Sequence, residues 1–202
     1  MLILKTFSMK KIIVLMSCFV FITFTALSEV TVEGKSTTHL KFMGIEMNGS
    51  SNSFAQKLKK KGLIAKSVSS DDLLMTGKFA GYSRCIFYAK ENRAGNISRA
   101  MVSLPVYESW ADLYNCYNRF KNMLTEKYGD PECDENEGLP SSAINSMIML
   151  MQLKMGGCHF ISTYTTSEGW IRLLMNKEGG VDILYVDDIN DNSDHSDAIK
   201  DI

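Results

Sequence analysis

Large apolar side chains recur at helical spacing through Trp110, Leu113, Tyr114, Tyr117, Phe120 and Leu124. Ser109 with Asp112 three residues on forms a capping box, and Gly129 and Pro131 end the run. The pattern predicts a helix from Ser109 to Tyr128. Its one continuous apolar face suits packing on a sheet better than a cofactor pocket or a nucleic-acid stacking platform. A shorter helix is predicted at "SSNSFAQKLKKKG", where Phe54, Ala55 and Leu58 share a face and Gly62 sits at the C-terminal end. A third is predicted at "AINSMIMLMQLKMGG", capped by Ser141 or Ser142 and largely buried. Its methionines, Met147 to Met155, read as fillers of an irregular core in preference to copper(I) ligands or a pliable groove.

Strand-like runs surround these helices. "HLKFMGIEMNG" predicts an initial strand and "LIAKSV" a second. "TGKFAGY", "RCIFYAK" and "ISRAMVSL" predict one meander, and "CHFISTYTT", "GWIRLLMNK" and "VDILYVDD" another. The order gives two helix-plus-three-strand units. The predicted fold class is α+β, a mainly antiparallel sheet with helices on one face.

The N-terminal stretch changes the setting. Lys10 and Lys11 precede an apolar run from Ile12 to Ala26, and Ala26-Leu27-Ser28 has the small residues a signal peptidase reads. Residues 1–28 are read as a signal peptide, with Met9 as the natural start of such a signal, and the product as exported to a periplasmic or extracellular space. The run is too short for a membrane span. "LMSC" would place lipid on Cys18 if it served as a lipoprotein box, and only then is a membrane partner expected. Removing 28 of 202 residues leaves 174, read as one α+β domain over 29–190 and an acidic flexible tail over 191–202. Those residues take three of the 22 basic side chains and none of the 23 acids, so the remainder carries 19 against 23, a net charge of −4. That balance argues against general nucleic-acid affinity. The basic run Lys57, Lys59, Lys60 and Lys61 reads as a solvated helix face.

Export also sets the expectation for the thiols. Cys85, Cys116, Cys133 and Cys158 remain after cleavage, an even number that favours two disulfides among three pairings. Cys133 with Cys158 and Cys85 with Cys116 is the preferred set, the first closing the acidic loop "DPECDENEGLP". Catalytic chemistry finds little support. No Gly-rich phosphate loop, Cys-x-x-Cys pair or zinc-ligand cluster occurs, and neighbouring Cys158 and His159 point to opposite faces of a strand. Asp188, Asn190, Asn192 and Asp194 alternate as calcium-loop ligands do, but Ser193 and Ile199 stand where such a loop needs Gly and Glu. Weak binding by Asp187, Asp188 and Asp191 competes there with a solvated tail. No cofactor or resident metal is expected.

The phrases "FMGIEMNGSSNSFAQKLKKKGL", "GKFAGYSRC", "YNRFKNMLTEKYGDP", "CHFISTYTTSEGWIRL" and "VDILYVDDIN" together resemble exported proteins of Bacteroides-type gut bacteria with no assigned activity. The resemblance spans about His39 to Asn190 and rests on structural phrases, not on a catalytic motif. It implies an exported α+β protein. The helix-then-meander repeat is also similar to beta-lactamase-inhibitor-like folds, a likeness of architecture that says little of function.

The expectation is a non-catalytic binding or interaction module that recognises a protein or small ligand through an exposed sheet face or the acidic loop. A small enzyme or metal-binding protein is the alternative. Glu168, Trp170 and Arg172, at and beyond one hairpin turn, are the candidate binding residues.

Overall fold

A computed structural model describes residues 38–69, 72–137 and 146–192. The signal segment, the Ser141 and Ser142 caps and most of the acidic tail lie outside the described residues. The chain runs β1 (Lys41–Phe42), β2 (Ile45–Glu46), α1 (Ser51–Lys60), β3 (Ile64–Val68), β4 (Asp72–Phe79), β5 (Tyr82–Glu91) and β6 (Ile97–Ser103). It continues through α2 (Trp110–Tyr128), β7 (Cys133–Glu137), α3 (Ser146–Met155), β8 (His159–Thr166), β9 (Gly169–Met175) and β10 (Val181–Asp187). A helical turn over 188–192 follows.

Eight strands form one antiparallel sheet in the order β3-β4-β5-β6-β10-β9-β8-β7. The fold is α+β, and each half contributes a four-strand meander: in the first the predicted strand "LIAKSV" joins the three-strand run as β3, and in the second one strand goes beyond the sequence pattern. In the first half α1 precedes β3 to β6. In the second α2 precedes β7 to β10, with α3 inserted between β7 and β8. The halves join where β6 and β10 pair, Ser103 opposite Asp182 and Arg99 opposite Val186.

The strand missed in the second half is β7, "CDENE", whose acids and Asn have low strand propensity. It is an edge strand, where charge prevents pairing with another chain. Asp134 lies opposite Ser162 and accepts its hydroxyl at 2.8 Å, and Lys121 pairs with the same carboxylate. Tyr117 in turn donates to Ser162 at 2.7 Å, so helix, strand and edge share one polar chain. Two further expectations change. "HLKFMGIEMNG" is a hairpin, because Met43 (φ +52) and Gly44 (φ +76) both take the left-handed conformation that a tight two-residue turn requires. The Met-rich helix α3 buries Met149 and Leu153 but leaves Met147, Met151 and Met155 exposed. It is a half-covered surface helix.

Helices and the β1–β2 hairpin cover one face of the sheet. Phe42 packs edge-on against Phe87 and Tyr185 and tilts on Phe54 of α1. Phe120 of α2 stacks on Phe79 at 6.0 Å, and Tyr117 meets Phe160 edge-on. Ser50 and Ser109 cap α1 and α2 through the amides of Ser53 and Asp112. These contacts form one core, with Leu73, Met75, Val102, Leu113, Ile171, Leu173 and Ile183 all buried.

A buried polar network ties the chain ends of this layer together. Asp187, fully buried, accepts the Leu40 amide at 2.7 Å and the Asn190 amide at 2.9 Å, with the His39 ring 3.2 Å from each carboxylate oxygen. Asn190 donates its side-chain amide to the carbonyls of Met47 and Ile97, both at 2.8 Å. Asn92 donates to the Asn190 carbonyl at 3.0 Å. Asn190→Ala strands two buried carbonyls and is expected to cost about 3 kcal/mol, whereas Tyr117→Phe, which leaves Ser162 bonded to Asp134, should cost about 1 kcal/mol. Urea unfolding of both variants checks the ranking, with an unchanged dependence on denaturant confirming that only stability moved.

Candidate functional site

Strand alternation sends every second side chain away from the helices, and the register aligns these in rows across the sheet. The middle row is Thr163, Arg172, Leu184, Met101, Tyr88 and Leu74, on β8, β9, β10, β6, β5 and β4. On one side lie Thr165, Trp170, Val186, Arg99, Lys90 and Asp72. On the other lie Ile161, Leu174, Asp182, Ser103, Ile86, Thr76 and Ile64. Six strands at the usual spacing make the middle row about 24 Å long. None of α1, α2 and α3 lies over these rows; the 188–192 turn meets the face at one end, where Asp191 pairs with Arg99 and Val186 is buried. Leu174, Leu184, Met101 and Trp170 are half-buried, while Leu74 and Ile86 are exposed.

The structure brings together two of the three residues singled out from sequence. Trp170 and Arg172, two apart on β9, project from the open face, and the Arg172 guanidinium stacks 4.8 Å from the Trp170 ring centroid. Arg172 also donates to the Thr163 hydroxyl at 3.3 Å. Glu168 instead sits at the β8–β9 turn, where the Thr38 hydroxyl donates to it at 3.4 Å. It belongs to the rim of the face. Two carboxylates of the face have hydrogen-bond partners. Tyr88 donates to Asp72, and that carboxylate pushes the phenol up to about 12. Burial pushes the Asp182 carboxyl up, against stabilising bonds from Ser103 and from Asn176 at 3.0 Å.

Leu184, Met101 and Leu174 were missed by sequence reasoning. Their signal was present: "VDILYVD", "SRAMVS" and "WIRLLM" carry apolar side chains on both phases of a strand, the mark of a sheet whose second face is also largely apolar.

The thiols differ from expectation. All four cysteines of the described residues are free. Cys133 lies opposite Thr163, and Cys158 is five residues before Thr163 on the partner strand. That separation along the strand is about 16 Å. A disulfide needs Cα atoms within roughly 7 Å, so Cys133 and Cys158 do not pair in this fold. Cys85 and Cys116 share the interface between β5 and α2, both buried, near Tyr82. The Cys85 thiol donates to the Tyr82 carbonyl at 3.6 Å, and burial together with the neighbouring Cys116 thiol pushes the Tyr82 phenol up.

Acidic residues near the C-terminus are also placed differently from the calcium-loop pattern. Asp187 turns inward to cap the 188–192 turn, and Asp191 pairs with Arg99 at 2.8 Å. Asp194 lies outside the described residues. No group of three or more His, Cys, Asp or Glu side chains among the described residues is arranged to hold a metal ion. No helix among them is long and apolar enough to cross a membrane.

Of the described thiols Cys133 alone is only half-buried, so it should alkylate first in the folded protein, resolved residue by residue by peptide mass mapping. Its hydrogen bond to the Glu135 carboxylate, 3.3 Å, holds the thiol above its ordinary value and keeps it protonated at neutral pH. Since the thiolate is the reacting species, Glu135→Gln should speed alkylation near pH 7.5, and the advantage should fade once the pH passes the thiol's raised pKa.

Searches against protein-family models, curated proteins and solved structures return no match to this chain.

Proposed function

We propose that the protein is an exported, non-catalytic binding module whose contact surface is the face of the eight-stranded sheet away from α1, α2 and α3. One observation carries this reading: six neighbouring strands present an apolar middle row, Leu184, Met101, Tyr88 and Leu74 among them, with Arg172 and Trp170 at one end and none of α1, α2 and α3 over it. An apolar patch rimmed by charge, here Asp72, Lys90 and Arg99, is the usual dress of an interaction surface. Stacked Trp and Arg are the residue types that most often anchor such contacts. A sheet also presents its side chains on a fixed backbone, so recognition loses little conformational freedom.

Catalysis has weaker support. The buried carboxylate Asp187 is occupied by two backbone amides and His39, and on the open face Asp72 is bonded to Tyr88, Asp182 to Asn176 and Arg99 to Asp191 instead of converging on a cleft. The partner is a protein or a small ligand, and its recognition rests on area and shape.

A photo-crosslinking residue placed at Met101 in the exporting host should give adducts that the same residue at Glu126, on the solvent side of α2, does not. Leu184→Glu should abolish those adducts while shifting the melting temperature by only a few degrees. Equal labelling from both positions, or none from Met101, removes the open face as the contact surface. The mass of the purified product tests export separately: a chain beginning at Glu29 is expected.

A further inference from the structure

At the β3 edge of the sheet, around the β4–β5 hairpin, lies an open groove of about 610 Å³ lined by Lys61, Lys66, Lys78 and Arg84 with the hydroxyls of Thr76 and Ser83. No acidic side chain lines it, in a chain that is acidic overall. None of the four cations makes an ion pair or side-chain hydrogen bond among the described residues. Four like charges around one concavity repel, and no acidic side chain among the lining residues offsets them.

The cations are set there by two irregularities in the strands. On β3, Ala65 faces Met75 and Ser67 faces Leu74, which leaves Lys66 as an extra residue without a partner. On β5, Gly77 faces Cys85 and Phe79 faces Tyr82, so Lys78 alone opposes both Ser83 and Arg84. These are β-bulges, which re-aim side chains. Arg84 takes φ +62, a left-handed conformation that is strained for a non-glycine residue. Gly77 in the groove lining packs closely on the buried Leu63, whose side chain a Cβ there would meet at 2.3 Å. Strand strain and bulges from two separate strands therefore converge on one basic concavity.

We propose that this groove is a binding site for phosphate esters, with Arg84 gripping one phosphate through its planar fork and Lys61, Lys66 and Lys78 neutralising further charge. A guanidinium binds phosphate oxygens in pairs, and ammonium groups serve as point charges. Thr76 and Ser83 supply neutral donors. The volume and openness suit a ligand carrying more than one phosphate. The lining contains no aromatic side chain, so nucleic-acid bases would have no stacking platform. The ligand is a polyphosphorylated small molecule or a lipid headgroup of the same chemistry. The groove adjoins the proposed sheet-face contact, where Thr76 and Ile64 belong to both, but its four cations lie outside the three rows and Trp170 shares the row of Asp72, at the other end of β4 from the hairpin.

Inositol hexakisphosphate, titrated calorimetrically into the full chain at 0.15 M salt, should bind with an affinity that Lys78→Gln/Arg84→Gln lowers at least tenfold. Lys57→Gln/Lys60→Gln, which removes the same charge from the neighbouring helix surface outside the groove, should change it less than twofold. If the first pair does not fold, Lys61→Gln/Lys66→Gln tests the opposite wall. Equal weakening by groove and helix variants, or no binding by the parent chain, overturns the site. Vesicles of phosphatidylcholine with and without phosphatidic acid separate the two sources. Phosphatidic-acid-dependent sedimentation lost with Lys78→Gln/Arg84→Gln assigns a headgroup, and groove-dependent binding of the soluble probe without it assigns a free ester.

Discussion

The pairing of β6 with β10 is the contact on which the architecture rests. Each strand is the last of its own meander, and each would otherwise be an open edge of a four-stranded sheet with unpaired amides and carbonyls. Joining them places both strands at the centre, so the edges left are β3, short and bulged, and β7, acidic. Long-range pairing of this kind forms late and slowly because loop closure is opposed by chain entropy until the contacts are made. It also makes the two faces continuous. The core under the helices and the apolar rows on the open side both cross the seam, so neither could exist in half of the chain.

The polar network around Asp187 and Asn190 acts on the same seam from one end. β10 terminates at Asp187, whose carboxylate receives the amide of Leu40, and Asn190 holds Met47 and the start of β6 at Ile97. The network therefore fixes the N-terminal hairpin over Phe87 and Tyr185 and closes the end of the β6–β10 ladder. Buried polar groups are tolerable when each is satisfied, and they then favour one arrangement over slipped alternatives. A one-residue slip of β10 would carry Ile183 and Tyr185 to the open face and Leu184 into the core, breaking these bonds at the same time.

Much of the helical content and the two meanders were legible because their signals are local. The α2 stripe with Ser109 and Gly129, and the runs of β-branched and aromatic residues in β5, β6, β8, β9 and β10, declare their periods over short windows. The failures share a cause: they depend on partners distant in sequence. β7 is a strand because Ser162 and Lys121 receive Asp134, and nothing in "CDENE" announces that. Cys133 and Cys158 look close along the chain and are parted by register. Of the candidate site, Trp170 and Arg172 could be named from their place beyond a hairpin turn, whereas the apolar row at their side required knowing which strands are neighbours. The groove was least visible, since a bulge is defined by two strands together. Lys61 read as part of a solvated lysine run, and Arg84 as an ordinary strand residue.

The two proposed contact surfaces, an apolar sheet face and a basic groove at its corner, would differ in how they discriminate. Contact through Leu184, Met101 and Trp170 gains from area removed from water and is largely indifferent to salt, while contact through Lys66, Lys78 and Arg84 is screened within about 8–10 Å at ordinary ionic strength. The apolar rows are made by the most central strands, where a substitution is felt by both faces. The groove lies where β3 and the β4–β5 hairpin leave the core, so its side chains can change without disturbing the β6–β10 seam. On the proposed reading, the basic specificity would be carried by the part of the sheet with the least structural obligation, and the broad hydrophobic contact by the part with the most. Of the two, the groove is the surface whose selectivity can vary while the fold stays the same.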